Sequence, residues 1–294
     1  MGSNSRLPLR MMYFFSDVPN GLRSKLVSKL HDLNASTKDH ALTTSEFELI
    51  VSLAATLENT SRYHASEVST SEVTAVIQML EWVPSNLAIP FDLMRMLASH
   101  PHGADTLARH SKFKTILPRI VNVISDPSAS LIVSTVMLRF AANCIRNNAL
   151  MKACILVDDN ARNLSDIVES SKNLIACGNK NFRLSLGSLL ANLSITLGDI
   201  PLEKCSMIAE LYLRVKRASR MLFPSDPSKD LVLVSALSIG TLAFHSRRRN
   251  ILPELLNDVT GIVREFYSFQ DSWKDSTPGG EVDETLTELQ SLTL

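Results

Sequence analysis

Apolar residues recur at steps of three and four in one segment after another, and this periodicity constrains the fold more than any other feature. It is the pattern of amphipathic helices, because a half-buried strand alternates apolar and polar residues one by one. The segments with this pattern are 22–33, 47–57, 73–82, 91–98, 113–124, 131–145, 164–175, 182–197, 202–213, 231–244 and 251–266. Strand signals are nearly absent, so the sequence predicts an all-α protein.

Four of the later helices end alike, with an apolar stretch that closes on a small or amide residue. The endings are FDLMRMLASH, MLRFAANCIR, GSLLANLSIT and SIGTLAFHSR. If Ser99, Asn143, Asn192 and Ala243 are equivalent, the spacings are 44, 49 and 51 residues, close to the ~40–47-residue period of armadillo and HEAT repeats. We therefore expect an armadillo- or HEAT-like α-solenoid with a concave groove. A closed helix bundle is the alternative.

Charge and composition argue against several classes of function. The 30 basic and 30 acidic side chains cancel, which is not the balance of a nucleic-acid binder. No segment has the ~18 to 20 uninterrupted apolar residues of a membrane span, and the amino terminus lacks a signal-peptide core. We expect a cytosolic or nuclear protein with reduced, buried cysteines, because no CxxC pair occurs. The cysteines are Cys144, Cys154, Cys177 and Cys205.

Composition divides the chain into three parts. We predict an amino-terminal arm or added leader at 1–12, the repeat domain at 13–270, and an acidic tail at 271–294. The tail has six acidic residues against Lys274, a net charge of −5, so the rest of the neutral chain carries +5. It contains Pro278-Gly279-Gly280 and is predicted to be a mobile linker followed by a short, frayed helix, with Trp273 docking this end of the chain.

Amide side chains on the last helix of each armadillo unit suit an extended ligand. One asparagine can accept from a peptide N–H and donate to a peptide C=O, whatever the peptide sequence. The candidates are Asn143 and Asn192. The amides would hold the ligand, and neighbouring charges would select it.

Arginines recur beside these amides. Arg95 lies four residues before Ser99 and Arg139 four before Asn143, and Arg146 extends the same stripe. Apolar neighbours surround the first two, in LMRML and MLRFA. A charge on a mostly buried helix needs a partner, which an acidic ligand would supply if no internal carboxylate does. A solvated helix face is the alternative interpretation.

Two further basic features are weaker candidates. Arg183 lies nine residues before Asn192, about 180° round an ideal helix, so it joins the stripe only if that helix bends or begins later. The cluster at 247–249 follows a helix end, where exposed cations are expected.

Enzyme motifs are missing from the chain. It has no GxSxG, Walker loop, GxGxxG or HExxH sequence. His100, His102 and His110 suggest a metal site, but they fall in a connection between helices and lack an evident fourth ligand, so we interpret them as structural. We expect no catalysis, no cofactor and no metal.

Five segments, in order, resemble a known domain. They are MMYFFSDVPNGLRSKLVSKLHDLNAS, IPFDLMRMLASHP, LRFAANCIRN, NKNFRLSLGSLLANLSI and LVLVSALSIGTLAF, and with them the likeness runs from about Tyr13 to Phe266. The domain that they resemble is the PUL domain, named for the phospholipase-A-two-activating protein and its fungal relatives.

The resemblance implies a fold and a partner. The expected fold is an armadillo-like array. Its basic groove would take the acidic carboxy-terminal tail of the ubiquitin-selective AAA ATPase, valosin-containing protein, which makes the chain a non-enzymatic adaptor in ubiquitin turnover. On this view Arg95 and Arg139 occupy the family's basic groove positions, and Asn143 and Asn192 lie on the peptide-holding helices. Val234 stands where the family tends to carry a basic residue. No nucleic acid, membrane or small-molecule substrate is expected as a partner.

Two other functions stay open at this point. The chain could be a general scaffold that assembles proteins on its outer face, with residues 280–294 occupying the groove, as their negative charge suggests. It could also be a hydrolase or lipid-acting enzyme, which only the historical family name suggests.

Overall fold

All regular structure in the described part of the chain is helical. The computed structural model describes residues 6–37, 39–62, 65–200, 206–225, 228–249, 259–268 and 280–292 of the 294-residue chain. The helices there are α1 (Leu22–Ser36), α2 (Thr44–Glu58), α3 (Thr70–Gln78), α4 (Ala88–Ser99), α5 (Pro101–Arg109), α6 (Ile116–Ile124), α7 (Leu131–Arg146), α8 (Asn148–Ile155), α9 (Asp158–Ile175), α10 (Lys180–Asp199), α11 (Ser206–Ser225), α12 (Lys229–Arg249), α13 (Val259–Ser268) and α14 (Gly280–Ser291). The all-α prediction is confirmed.

The helices form two compact units. Unit A is Phe14–Asn163, and unit B consists of the described parts of Met1–Tyr13 and Leu164–Leu294. Within each unit a helix packs on the next helix and on a helix of the following repeat. Helix α4 packs on α5 and α7 in unit A, and α10 packs on α11 and α12 in unit B. This nearest-neighbour packing is that of an α-solenoid, so the predicted all-α solenoid is confirmed.

Unit A is held together by the contact between α4 and α7. Phe91 and Phe140 are fully buried there, with ring centroids 5.9 Å apart in an edge-to-face arrangement, which is favoured by the ring quadrupoles. Gly103 avoids crowding at the start of α5, because a Cβ on it would come 3.0 Å from the Leu97 carbonyl oxygen. These contacts hold the faces of α4 and α7 that carry Arg95, Arg139 and Asn143.

Unit B has a similarly close contact between α10 and α12. A Cβ at Gly187 of α10 would lie 2.7 Å from Cγ1 of Val234 on α12, so the absence of a side chain lets the helices approach. Val234 is itself buried. An apolar contact therefore occupies the position where a basic residue was expected from the family pattern.

The acidic end of the chain is a packed helix. The residues Val282, Leu286 and Leu289 of α14 are fully buried against residues of α12 and α13. Their spacing of four and three puts them on one face, and this apolar face explains why 280–291 differ from the frayed helix expected from the acidic composition. Residues 271–279, including Trp273, lie outside the described residues.

The cysteines follow the prediction only in part. Cys144 and Cys154 are buried, and burial raises the pKa of the Cys144 thiol, helped by its hydrogen bond with Cys154. Cys177 is exposed, so the prediction is wrong there, because this residue lies in the turn after α9 rather than inside a helix. Cys205 falls outside the described residues.

The three histidines that suggested a metal site bond to the main chain. Nδ1 of His100 accepts the amide of Gly103 at 3.0 Å, and Nδ1 of His102 accepts the amide of Val68 at 3.0 Å. Nδ1 of His110 accepts the amide of Lys112 at 3.2 Å. Among the described residues no three His, Cys, Asp or Glu side chains form a group that could hold one metal ion. Each helix in the described ranges is too short or too polar to cross a membrane.

The bond to Lys112 makes His110 a source of pH-dependent stability. An amide N–H can only donate, so Nδ1 must be unprotonated, and burial followed by the Lys112 charge lowers the pKa of His110. The unfolded chain has the ordinary His pKa of about 6.5, so this contribution is complete above that pH and is lost as pH falls below it. We expect the His110→Asn variant to lose less stability than the wild type between pH 7 and pH 5 in urea unfolding; an identical pH dependence would contradict this.

Candidate peptide-binding site

The segment before α1 is extended, and its residues bond to helices of the unit to which they belong. Residues 6–17, which we call the arm, precede α1 and have no regular secondary structure. Residues 6–13 belong to unit B and residues 14–17 to unit A. The arm's contacts are described for each unit in turn, and most of them join arm main chain to helix side chains.

In unit A, Asn143 of α7 holds the main chain of Phe15. Its Oδ1 accepts the Phe15 amide at 3.0 Å, and its Nδ2 donates to the Phe15 carbonyl at 3.0 Å. Nδ2 also donates to the Arg95 carbonyl and to Oγ of Ser99. The side chain is fully buried, so its hydrogen-bonding capacity is filled by protein groups. This is the two-way amide contact predicted from the sequence, and the residue it holds is part of the same chain.

In unit B, Asn192 of α10 makes the same contact with Tyr13. Oδ1 accepts the Tyr13 amide at 2.7 Å, and Nδ2 donates to the Tyr13 carbonyl at 2.9 Å. The Tyr13 side chain packs against the apolar cluster of Ala191, Leu231 and Val234. Burial raises the pKa of Tyr13, and the charge of Asp230 raises it further. The tyrosine is thus held both by its main chain and by its ring.

The third side chain in this series was not predicted. Oγ1 of Thr241, on α12, accepts the amide of Leu9 at 2.9 Å, whereas the pattern of helix endings indicates Ala243 as the equivalent residue. Thr241 lies 49 residues after Asn192, which itself lies 49 residues after Asn143. This equal spacing was the signal that could have found it. Successive arm residues meet α12 and then α10, so within unit B the arm runs opposite to the order of the helices.

Arg95 fixes the end of the arm in unit A. Its guanidinium donates to the carbonyls of Phe15 and Asp17 at 2.6 and 2.7 Å, and Nε is 2.6 Å from Oδ1 of Asp92. Arg95 is only 4% exposed. Asp92 is therefore an internal carboxylate partner for Arg95. An acidic ligand was expected at Arg95 only if no internal carboxylate paired with it, so Arg95 needs no carboxylate from a ligand.

The other two arginines of the stripe lie over aromatic rings of the arm. The guanidinium carbon of Arg139 is 5.2 Å from the Phe15 ring centroid, and that of Arg146 is 3.7 Å from the Phe14 centroid. Both are cation–π contacts, and the exposed Arg146 guanidinium keeps donors at its edges that can bond a carboxylate. Arg139 is half-buried and Arg146 exposed. The stripe predicted from Arg95, Arg139 and Arg146 thus converges on residues 14–17.

The remaining basic candidates have other contacts. Nε of Arg183 donates to the Ile175 carbonyl at 3.2 Å, at the end of α9. Arg247 is exposed and donates to the Leu292 carbonyl at 3.0 Å, next to the end of α14. Arg248 is also exposed, and the side chain of Arg249 lies outside the described residues. In these contacts Arg183 and Arg247 satisfy main-chain carbonyls near helix ends, where cations are favourable.

Comparison with protein families supports the identification suggested by the sequence. The PUL domain, a protein-interaction domain, matches residues 7–270, which is all but the first six and the last 24 residues. No match to a curated protein was found. Since the match covers most of the chain and the fold is the helical repeat expected of it, the chain belongs to the PUL domain family.

Proposed function

We propose that the chain is a non-enzymatic adaptor whose unit A binds the extended, acidic carboxy-terminal tail of the ubiquitin-selective AAA ATPase, valosin-containing protein. It would act in ubiquitin-dependent turnover in the cytosol or nucleus. The observation that carries the proposal is the convergence of Arg139 and Arg146 on the arm residues Phe14 and Phe15. The partner itself comes from the family resemblance.

The three arginines have different roles in this proposal. Arg95 is buried and satisfied by Asp92 and by arm carbonyls, so it builds the site. Arg146 is exposed, and among the described residues it forms no ion pair. Arg139 lies between these two extremes of burial. Acidic side chains of a ligand would therefore bind Arg139 and Arg146, and the rings of Phe14 and Phe15 hold both guanidinium groups in position.

The local electrostatics favour an anion. Burial lowers the pKa of Arg139, and the positive charge of Arg95 lowers it further, while Asp92 and Asp17 act in the opposite direction. A guanidinium that is partly desolvated beside a like charge is stabilised when a carboxylate approaches. The positive charge of the chain outside its acidic end would also speed the encounter with an acidic peptide at low salt.

The amides act on the ligand through the arm. Asn143 is fully buried and bonded to Phe15, so a ligand that leaves the arm in place contacts the arm and the two arginines. We place the ligand beside residues 14–17 in unit A. Asn192 supports the preceding stretch of the arm, through Tyr13 in unit B.

A titration with a labelled acidic tail peptide tests this proposal. For the wild type we expect micromolar affinity, about −8 kcal/mol. Arg139→Ala and Arg146→Ala should each weaken binding roughly five- to tenfold, about 1 kcal/mol, because partly exposed pairs are screened by water. Binding should weaken further as salt is raised.

Arg109→Ala is the matched control, since it removes one positive charge from unit A at a side chain that is 80% exposed and pairs with Asp105. It should leave the affinity unchanged. Equal affinity in the Arg139, Arg146 and Arg109 variants would remove the two arginines from the site. Failure of the wild type to bind any acidic peptide would remove the proposed function.

A further inference from the structure

The carboxylate of Glu288, on α14, binds the main chain at the start of the arm. Oε2 accepts the amides of Arg6 and Leu7, both at 2.9 Å, and Oε1 lies 3.0 Å from the Arg6 amide. A carboxylate that accepts two successive amides makes charge-assisted hydrogen bonds, which are stronger than neutral ones. Glu288 thus holds two arm residues through their main-chain amides, whatever their side chains are.

An apolar contact lies beside this bond. Leu7 is 2% exposed and belongs to the same cluster as Val282, Leu286 and Leu289 of α14. On the α12 side it fits against Gly240, where an added Cβ would lie 2.6 Å from Cδ1 of Leu7. The start of the arm therefore lies between the apolar face of α14 and a gap in the surface of α12.

Charge pairs surround the contact at the surface. Nε of Arg6 is 3.1 Å from Oε2 of Glu284, and its Nη2 is 3.6 Å from Oε1 of Glu281. Both carboxylates are more than half exposed, so these pairs contribute little compared with the amide bonds to Glu288. The acidic composition of this end of the chain has a local partner in Arg6.

We propose that α14 is a latch for the arm, and that Glu288 is a positioning residue for the peptide-binding site. Helix α14 lies beyond residue 270, where the family match ends. Glu288 binds residues 6 and 7, Thr241 binds residue 9 and Asn192 binds residue 13. Releasing the first contact would free residues 6 and 7, which lead along the chain to the other two contacts. The effect on ligand binding rests on the proposed function, whereas the latch itself does not.

Trypsin cleavage after Arg10 measures release of the arm in the full chain. Arg10 and Met11 are exposed, but a protease needs several residues to leave the surface and extend into its cleft. In Glu288→Ala the Arg10–Met11 bond should be cut at least threefold faster than in the wild type, as followed by mass spectrometry. Glu288→Gln, which keeps a carbonyl oxygen as acceptor, should give an intermediate rate.

Glu284→Gln is the matched control, because it removes the charge pair with the Arg6 side chain and leaves both amide bonds. Its cleavage rate should equal that of the wild type. Thermal unfolding followed by circular dichroism should remain cooperative in all of these variants, because the apolar face of α14 is intact, so faster cleavage reports release of the arm and not global unfolding. An unchanged cleavage rate in Glu288→Ala would overturn the latch.

The same variants separate this inference from the proposed function. Weaker binding of the acidic peptide by Glu288→Ala, with faster cleavage, supports both the latch and the positioning role. Faster cleavage in a protein whose wild type does not bind the peptide supports the latch and refutes the proposed function. Faster cleavage with wild-type peptide affinity refutes the positioning role of Glu288.

Discussion

Replacing Asn143 with leucine should lower the free energy of unfolding by about 2–4 kcal/mol. The amide is fully buried and bonds the Phe15 amide and carbonyl, the Arg95 carbonyl and Ser99. Leucine fills a similar volume and can satisfy none of them, and a buried polar group without a partner costs more than an ordinary hydrogen bond contributes. Urea unfolding followed by circular dichroism measures the loss.

Two companion variants separate the amide's bonds. Asn143→Asp keeps an acceptor for the Phe15 amide but loses the donors, so it should still be destabilised. Ser99→Ala removes only a hydroxyl that accepts from Asn143 and donates to main-chain carbonyls, and should cost less than about 1 kcal/mol. Stability of Asn143→Leu within about 0.5 kcal/mol of the wild type would show that the amide does not hold the arm.

Replacing Arg95 with methionine should have an effect of similar size, again about 2–4 kcal/mol. The side chain is 4% exposed, and its removal takes a donor from the Asp17 carbonyl, the Asp92 carboxylate and the Phe15 carbonyl, of which the last keeps its bond from Asn143. Asp92 is partly exposed, so water can reach it, and this limits the loss. Urea unfolding measures this variant as well, and peptide titration should show weaker binding because residues 15–17 are no longer fixed.

Arg95→Lys is the control for charge. A lysine keeps the positive charge, but its single ammonium group cannot reproduce the planar fork that reaches two carbonyls and a carboxylate. We expect it to recover less than half of the lost stability. Full recovery by lysine would mean that charge, rather than the directed hydrogen bonds to the arm, accounts for the role of Arg95.

The fold was predictable because a helix has a local sequence signal, the spacing of its apolar residues. Apolar residues at steps of three and four identified the helical segments, and the recurrent endings at Asn143 and Asn192 identified the repeat. The short helices α5 and α8 were not predicted, since α5 begins at Pro101 directly after the α4 cap His100 and α8 follows α7 with only Asn147 between them. The packing of α14 was not predicted, because the prediction was made from its acidic composition and did not consider the three apolar residues on one face.

The candidate site was predictable only in its helix side chains. Five side chains that were predicted from their spacing contact the arm: Arg95, Arg139, Arg146, Asn143 and Asn192. The arm itself has no period, because its contacts come from five helices that lie far away in sequence: α14, α12, α10, α7 and α4. Nothing local in residues 6–17 indicates this.

The side-chain amides of Asn143 and Asn192 do not bind a ligand's main chain in this structure. They were predicted to hold a partner's main chain, and in this structure they hold residues 13 and 15 of the same chain. Each asparagine accepts from one main-chain amide and donates to one main-chain carbonyl, and long-range folding decides which main chain it binds. Asp92 likewise supplies the carboxylate partner of Arg95 from one turn earlier on the same helix.

Backbone amide exchange measured by NMR on the full chain tests most directly whether helix side chains clasp the arm. The amides of Leu9, Tyr13 and Phe15 are accepted by Thr241, Asn192 and Asn143, whereas those of Met12, Phe14 and Ser16 have no acceptor among the described residues. We predict that the first three exchange at least ~100-fold more slowly than an unstructured peptide and more slowly than their three neighbours. Uniformly fast exchange across residues 9–16, or protection of the neighbours instead, would contradict the account.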